Sequence, residues 1–471
     1  MNRRGFSRTI LGALGAGALA GTPLQPLEGR TREHRPGRVE RTPSVPTPGG
    51  ETGPQTAGDL RIDGARLNRR LQEFRRFGRR QDGGVDRVAF SDADREARAY
   101  LRTLMEELGL EVRVDVAGNL LGRREGEDPR RPPFLVGSHS DSVPAGGDYD
   151  GALGVLAALE AVATLEERGL RTRHPLEVVS FVNEEDGKTG SRAMAGELGP
   201  GDLERMTVSG YTVAEGIRRY GGNPERLGDA RRRPGSVAGY LELHVEQGAV
   251  LDRTKTRIGV VEGIVGIRRW TATVLGAANH AGTTPMDQRR DALLAGARLV
   301  EAVNRAAASR DGSQVATVGR IQAFPGAANV IPGEVRMSVE VRALSMEEIR
   351  EVFQDIQGAA EEIEAELDTP IRLEEFYLSR AAPSDPRFRR WVAEAAEELG
   401  LSHRRMPSGA GHDAQSVAHF APMGMIFIPS VDGVSHAPGE YSRPEDVEAG
   451  GNVLLRALLK ADGDLEGSHS G

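Results

Sequence analysis

The chain has 471 residues, too many for one ordinary hydrophobic core, and it carries a formal net charge of −8 with no cysteine at all, so at least two domains are expected. Without cysteine there are no thiol nucleophiles, disulfides or thiolate metal sites, which leaves imidazole and carboxylate to hold any catalytic metal. Basic residues are spread along the chain and are nearly all arginine, lysine occurring only at Lys188, Lys255 and Lys460; this speaks against nucleic acid as a partner and leaves few Schiff-base candidates.

The first 20 residues pair Arg3 with Arg4, then set Phe6, a weakly apolar Gly/Ala run and the small residues Ala18 to Ala20. They resemble a twin-arginine signal peptide. The run is too short and too weakly apolar to cross roughly 30 Å of hydrocarbon. Export of the folded chain by the twin-arginine machinery, to the periplasm or the exterior, is therefore expected, with no membrane association of the mature form. Residues 21–58 turn to Pro, Gly, Thr, Arg and Glu without an apolar period and read as a disordered linker.

Helical spacing of apolar residues marks "ARLNRRLQEFRRFG" and "SDADREARAYLRTLMEELGL", the second opening on a capping Ser91 or Asp92. The runs "FLVGS" (134–138) and "LEVVSFV" (176–182) are short, apolar and β-branched, and the helical "ALGVLAALEAVATLEERG" (152–169) separates them. That order is a βαβ unit of a parallel sheet. "AGYLELHVEQG" adds a strand near 239–243 and "MGMIFIPS" (423–430) another. Between these two the pattern changes to strand, helix, strand, strand, helix, strand: "GIRRWTATVLG", "DALLAGARLVEAVNRAAA", "QVATVGRIQA", "GEVRMSVEVRAL", "MEEIREVFQDIQGAAEEIEAE" and "IRLEEFYL". The fold class predicted is α/β, a mostly parallel sheet flanked by helices, with an inserted ferredoxin-like α+β (βαββαβ) unit.

In open α/β sheets, ligand-binding residues gather at the carboxyl ends of strands. Here "SHSD" follows "FLV", "NEED" follows "VVSFV", "HVEQG" follows "YLEL", and "SHAPGE" follows "IFIPS". Each piece alone has an ordinary reading: "HSD" a surface loop, Glu184 and Glu185 a solvated turn, Asp150 the N-cap of the next helix, His436 a loop histidine. Together, His139, Asp150, Glu184, Glu185, His244 and His436 supply the parts of a two-metal site. Such a site needs a bridging carboxylate, terminal imidazoles and carboxylates, and a base beside the water.

The blocks "GSHSDSVPAGGDYDG", "NEED", "LHVEQG", "NHAGTTPM", "ANVIPG" with "VEVR", "GAGHDA" and "SHAPGE" resemble, in order, those of the dinuclear-metal amidohydrolases related to carboxypeptidase G-type peptidases. The resemblance is greatest to the N-carbamoyl-L-amino-acid hydrolase, allantoate amidohydrolase and β-alanine synthase branch, and runs from about residue 60 to 462. It implies a catalytic domain in two parts, 59–262 and 381–471, interrupted by a lid and dimerisation domain at 263–380. It further implies two divalent ions, zinc first and manganese, cobalt or nickel as substitutes. His139 and His244 would hold one ion, Glu185 and His436 the other, and Asp150 would bridge them. Glu184 would be the general base, and Asp141 would orient the ligands from behind. Gln247, Asn329 and Arg342 would bind substrate. His280 would stabilise the oxyanion, reaching the site from the insert of a partner subunit in a homodimer. The substrate implied is a small ureido acid or amide, cleaved at a non-peptide C–N bond. A dipeptidase or aminoacylase of the same fold is the nearest rival, and a non-catalytic exported binding protein a more distant one, against which Glu184 argues. One departure stands out: "NEEDGKTGSRAMAG" is shorter than the family's usual segment, so a wall of the substrate pocket is expected to differ. His412 and Asp413 match a block to which the sequence assigns no role.

Overall fold

The computed structural model describes residues 60–464; the expected signal peptide and linker lie outside the described residues. A nine-stranded sheet forms the body. Its order is Glu111–Val114, Leu120–Arg124, Leu176–Phe181, Phe134–His139, Gly239–Val245, Met423–Ile428, Ile258–Ile264 and Ala382–Pro383, with His403–Ser408 also paired to Ile258–Ile264. The central strands, Leu176–Phe181, Phe134–His139, Gly239–Val245 and Met423–Ile428, run parallel to one another. Antiparallel pairs are confined to the flanks.

These four strands are buried along their whole length, which is why they read as unbroken apolar runs instead of alternating ones. The helix Ala152–Glu167 is apolar all round and buried from Ala152 to Leu165. It packs on the strands Phe134–His139 and Gly239–Val245 and against the helices Gly64–Phe74 and Pro444–Asp464, the latter itself seated on Gly239–Val245 and Met423–Ile428. Its one charged buried residue, Glu160, is neutralised by Arg66 at 2.7 Å and Arg70 at 3.0 Å. Of the two capping candidates for Asp92–Glu107, Ser91 does the work, accepting from the Asp94 N–H at 3.1 Å.

The inserted segment builds a separate four-stranded antiparallel sheet in the order Ile371–Ser379, Gly266–Leu275, Glu334–Ala343, Val315–Phe324. Helices Ala292–Ala308 and Met346–Leu367 cover one face, and Trp270, Leu299, Val339, Ile349 and Ile356 fill its own core. Along Glu334–Ala343, Val335, Met337, Val339 and Val341 are buried while Arg336, Ser338, Glu340 and Arg342 are not, the alternation expected of a strand with one covered face.

Candidate active site

The strand Phe134–His139 ends on His139, and the strand Gly239–Val245 carries His244 just inside its end. Parallel pairing brings both ends to the same edge. His139 fits only because residue 151 is glycine: at φ +63 the backbone is left-handed, and a Cβ there would lie 2.4 Å from the imidazole. The helix after it starts from Gly151 with no side-chain cap. Asp150 is thus no N-cap, and its carboxylate turns toward the histidines.

One oxygen of Asp150 faces His244 Nε2 at 3.0 Å and His139 Nε2 at 3.4 Å, while the other faces His436 Nε2 at 3.1 Å. Glu185 stands 3.5 Å from His436 Nε2. Two ligand sets result, His139–Asp150–His244 and Asp150–Glu185–His436, each with donor atoms within 4.8 Å of one another.

Proton bookkeeping tests whether a cation fits. His139 Nδ1 lies 3.1 Å from the Asp141 carbonyl and His244 Nδ1 2.9 Å from the Val245 carbonyl. Carbonyl oxygens only accept, so both Nδ1 atoms carry protons, and as neutral imidazoles both would turn Nε2 lone pairs to a carboxylate. That arrangement is repulsive unless positive charge sits between them. Burial opposes a charged His139, yet Asp150, Glu184 and Asp141 raise its pKa well above the ordinary imidazole value. Burial and the Asp150 charge together push Glu185 well above the ordinary carboxyl value. The donors fit divalent cations.

Glu184 is buried beside this cluster, its carboxylate 4.0 Å from His139 Nε2. Burial pushes its pKa up to about 7, against the pull of His139 and Lys188. Asp141 accepts the backbone N–H groups of Glu184 at 3.3 Å and Glu185 at 3.2 Å, one on each oxygen, and so fixes the turn that carries both. Asn183, Gln247 and His436 all adopt left-handed backbone at φ +54, +59 and +54, a local strain that non-glycine residues keep where surrounding structure demands it. Gln247 donates to Asp150 at 2.7 Å and lies 3.1 Å from His436 Nε2, and its carbonyl oxygen is buried without a partner.

Two glutamates that sequence reasoning did not single out support the cluster. Glu440 accepts the N–H groups of Tyr149 at 2.8 Å and Asp150 at 3.0 Å, and the Ser435 hydroxyl at 2.8 Å. Glu242 accepts the Ser138 hydroxyl at 2.6 Å and the Ala414 N–H at 3.2 Å. Position was the available signal: Glu440 closes "SHAPGE", and Glu242 stands two residues before His244 on the same strand face. Glu242, His244 and His412 form a third group with metal-ligand spacing, but both Glu242 oxygens are already engaged and His244 points its Nε2 at Asp150. His412 packs edge-on against the His244 ring, 4.5 Å between centroids, and bonds Ser408 at 2.9 Å. Burial, with His244 adding to it, holds its pKa well below the ordinary value. Asp413 accepts the Ser191 hydroxyl at 2.6 Å, and burial and Glu184 raise its pKa well above normal.

The residues expected on the insert are placed differently. His280 is exposed, its Nδ1 accepting from the N–H groups of Gly282 at 3.0 Å and Thr283 at 3.2 Å. Asn329 is exposed beside the short strand paired with that of His280, its carbonyl accepting the Ala281 N–H at 3.0 Å. Among the described residues neither bonds to the metal-ligand cluster. Arg342 bonds Glu340 at 2.7 Å and reaches off the insert to the Gly409 carbonyl at 2.8 Å, three residues before His412.

The model of peptidase family M20/M25/M40 matches residues 135–460, a span that includes every one of the cluster residues. The chain belongs to this family. It is 42% identical to an N-carbamoyl-L-amino acid amidohydrolase of Geobacillus stearothermophilus, over 84% of this chain and 98% of that one. To the allantoate amidohydrolase of Bacillus subtilis (strain 168) it is 34% identical, over 83% of this chain and 96% of the relative. Among solved structures, an amidase of the hydantoinase/carbamoylase family from Burkholderia multivorans superposes with a TM-score of 0.78 at 38% identity, covering 85% of this chain and 98% of that one.

Proposed function

We propose that this chain is a dinuclear metal-dependent amidohydrolase that cleaves a non-peptide C–N bond in N-carbamoyl-L-amino acids or related ureido acids such as allantoate. The observation that carries the reading is Asp150: its two oxygens face two separate sets of ligand atoms, with a buried carboxyl of pKa about 7 alongside. Imidazole and carboxylate donors without sulfur suit two zinc ions, or manganese, cobalt or nickel in their place. Bound there, divalent ions would polarise the substrate carbonyl and acidify water.

Glu184 takes the proton of the water that attacks the carbamoyl carbon, and returns it to the amino-acid nitrogen as the C–N bond breaks. The carbamic acid released falls apart to carbon dioxide and ammonia. Arg342 and Asn329 hold the substrate carboxylate, a task suited to a planar guanidinium, and Gln247 orients the ureido group. The insert serves as lid and dimer contact, and His280 of a homodimer's second subunit would supply the oxyanion donor, in keeping with its exposure here. Export through Arg3 and Arg4 belongs to the same proposal. Replacing both with lysine is expected to leave the protein in the cytoplasm, and unchanged secretion measured in cell fractions would remove that part.

The deciding assay measures ammonia from N-carbamoyl amino acids and free amine from dipeptides and N-acyl amino acids, with metal-reconstituted protein. Ammonia release from the ureido acids is expected. Turnover of dipeptides or N-acyl amino acids alone would make the chain a dipeptidase or aminoacylase of the same fold. No metal-dependent turnover would leave a binding protein.

A further inference from the structure

Beside the turn that follows Glu184 and Glu185 lies a cleft of about 490 Å³, lined among others by Lys188, Arg192, Glu197, Tyr377, Arg380 and Gln415. It joins the turn after Glu184 to the end of the last inserted strand. Lys188 is half-buried and left-handed at φ +52, and its N–H donates to the Glu184 carbonyl at 2.8 Å. The turn that positions the proposed base therefore also aims an ammonium into the cleft.

That ammonium has an unusual partner. It donates to the side-chain carbonyl of Gln415, whose amide is in turn held by Ser379 at 3.0 Å and the Arg380 carbonyl at 2.6 Å. Among the described residues no carboxylate lies within ion-pair distance of Lys188, and the exposed guanidinium of Arg380 has none either. The other charges in the cleft are matched: Arg192 with Asp202 at 3.0 Å, and Glu197 with His419 at 2.5 Å and Ser416 at 3.1 Å. Two cations without an ion-pair partner thus line one cleft, together with Tyr377 and Leu378. Half-buried Lys188 has only the neutral Gln415 carbonyl in direct contact and the Glu184 carboxyl farther off to offset its charge, and an incoming anion would relieve the cost.

The loop Gly409–Gly411 ties this cleft to the carboxylate clamp. Arg342 bonds the Gly409 carbonyl at 2.8 Å, and a Cβ built on Gly411 would lie 3.4 Å from Lys188 Nζ. One three-residue loop therefore has a guanidinium at one end and an ammonium at the other. A ligand with two carboxylates could engage both.

We propose that this cleft receives a second anionic group of the substrate, and that the chain favours ureido acids with an acidic side chain, the N-carbamoyl derivatives of aspartate or glutamate, over neutral ones. This rests on the ureido-acid reading above and names its substrate class. A charge-assisted contact to the side-chain carboxylate supplies the preference.

The test compares kcat/KM of the metal-loaded full chain on N-carbamoyl-L-glutamate and on its neutral isostere N-carbamoyl-L-glutamine. The acid is expected to be preferred by about tenfold or more, and Lys188→Met and Arg380→Met are each expected to lower the acid-to-amide ratio by about three- to tenfold. Among the described residues Arg380 makes no bond or ion pair to Glu184, so its variant separates recognition of the acid from damage to the base. Equal turnover of the two substrates by the unaltered chain, or a ratio that neither variant changes, would overturn the proposal and leave Lys188 as a mere brace for Gln415. Should neither substrate release ammonia, the ureido-acid reading fails by itself. The cleft is then judged by calorimetric titration with the same two compounds: tighter binding of the acid, lost in Arg380→Met, supports it, and equal affinities refute it.

Discussion

Along the carboxyl edge of the central sheet, His139, Asp150, Glu184 and His244 are buried and each is braced by a second residue. On the insert, His280 and Asn329 are exposed and bond through their own turn. The difference fits the roles proposed for the two regions. Groups that would hold cations and move a proton gain from a dry, pre-set arrangement, because no reorganisation is needed when the reaction occurs. Groups that would recognise a small molecule from a second sheet need meet it only when it arrives. On that proposal, chemistry is built into the sheet edge and recognition into what faces it.

The comparison is sharpened most by Glu184→Gln. The amide keeps the shape and the backbone bonds to Asp141 but cannot take a proton, so kcat should fall by about 10²- to 10⁴-fold while metal analysis still finds two ions per chain. Loss of the ions together with activity would make Glu184 a ligand and dissolve its separation from Glu185. Gly151→Ala tests the pre-set arrangement itself. The new Cβ would meet the His139 ring at 2.4 Å, on backbone at φ +63. Strain of that kind costs on the order of 1–3 kcal/mol, and the displaced imidazole should weaken metal binding by about 10- to 100-fold. Unchanged metal affinity in a competitive chelator titration would mean that the sheet edge is softer than its packing indicates.

How much of this could be read from the sequence follows the same division. The four central strands and the helix Ala152–Glu167 were legible because full burial writes itself as uninterrupted apolar runs, and the insert because its strands alternate. The cluster residues were legible because each follows such a run. Strands Glu111–Val114, Ile258–Ile264 and His403–Ser408 were not foreseen: the first and last are polar and partly exposed, and Ile258–Ile264 is broken by two glycines. Glu242 and Glu440 escaped because a glutamate that braces a site from behind has no spacing of its own, and only the fold shows that Glu440 reaches back to Asp150 across the sheet edge. The cleft at Lys188 escaped too, since its walls come from segments nearly two hundred residues apart.

Arg342→Ala probes the insert and should have the smallest effect of the three. Strand alternation alone would make Arg342 one more solvated side chain beside Glu340. Its bond to the Gly409 carbonyl instead carries it onto the loop before His412, where a substrate carboxylate entering between the two sheets would find it. It is already partly satisfied by Glu340 and Gly409, and it keeps 30% of its side-chain surface in solvent, so a carboxylate would exchange one set of partners for another. KM should rise by about 3- to 30-fold for carboxylate-bearing substrates, less than the roughly 2–5 kcal/mol lost on truncating a fully buried charged pair. For an analogue whose α-carboxylate is replaced by a neutral amide, KM should change far less. Equal losses on both would mean that Arg342 only ties the insert to the loop, and the carboxylate clamp would have to be sought elsewhere on the insert.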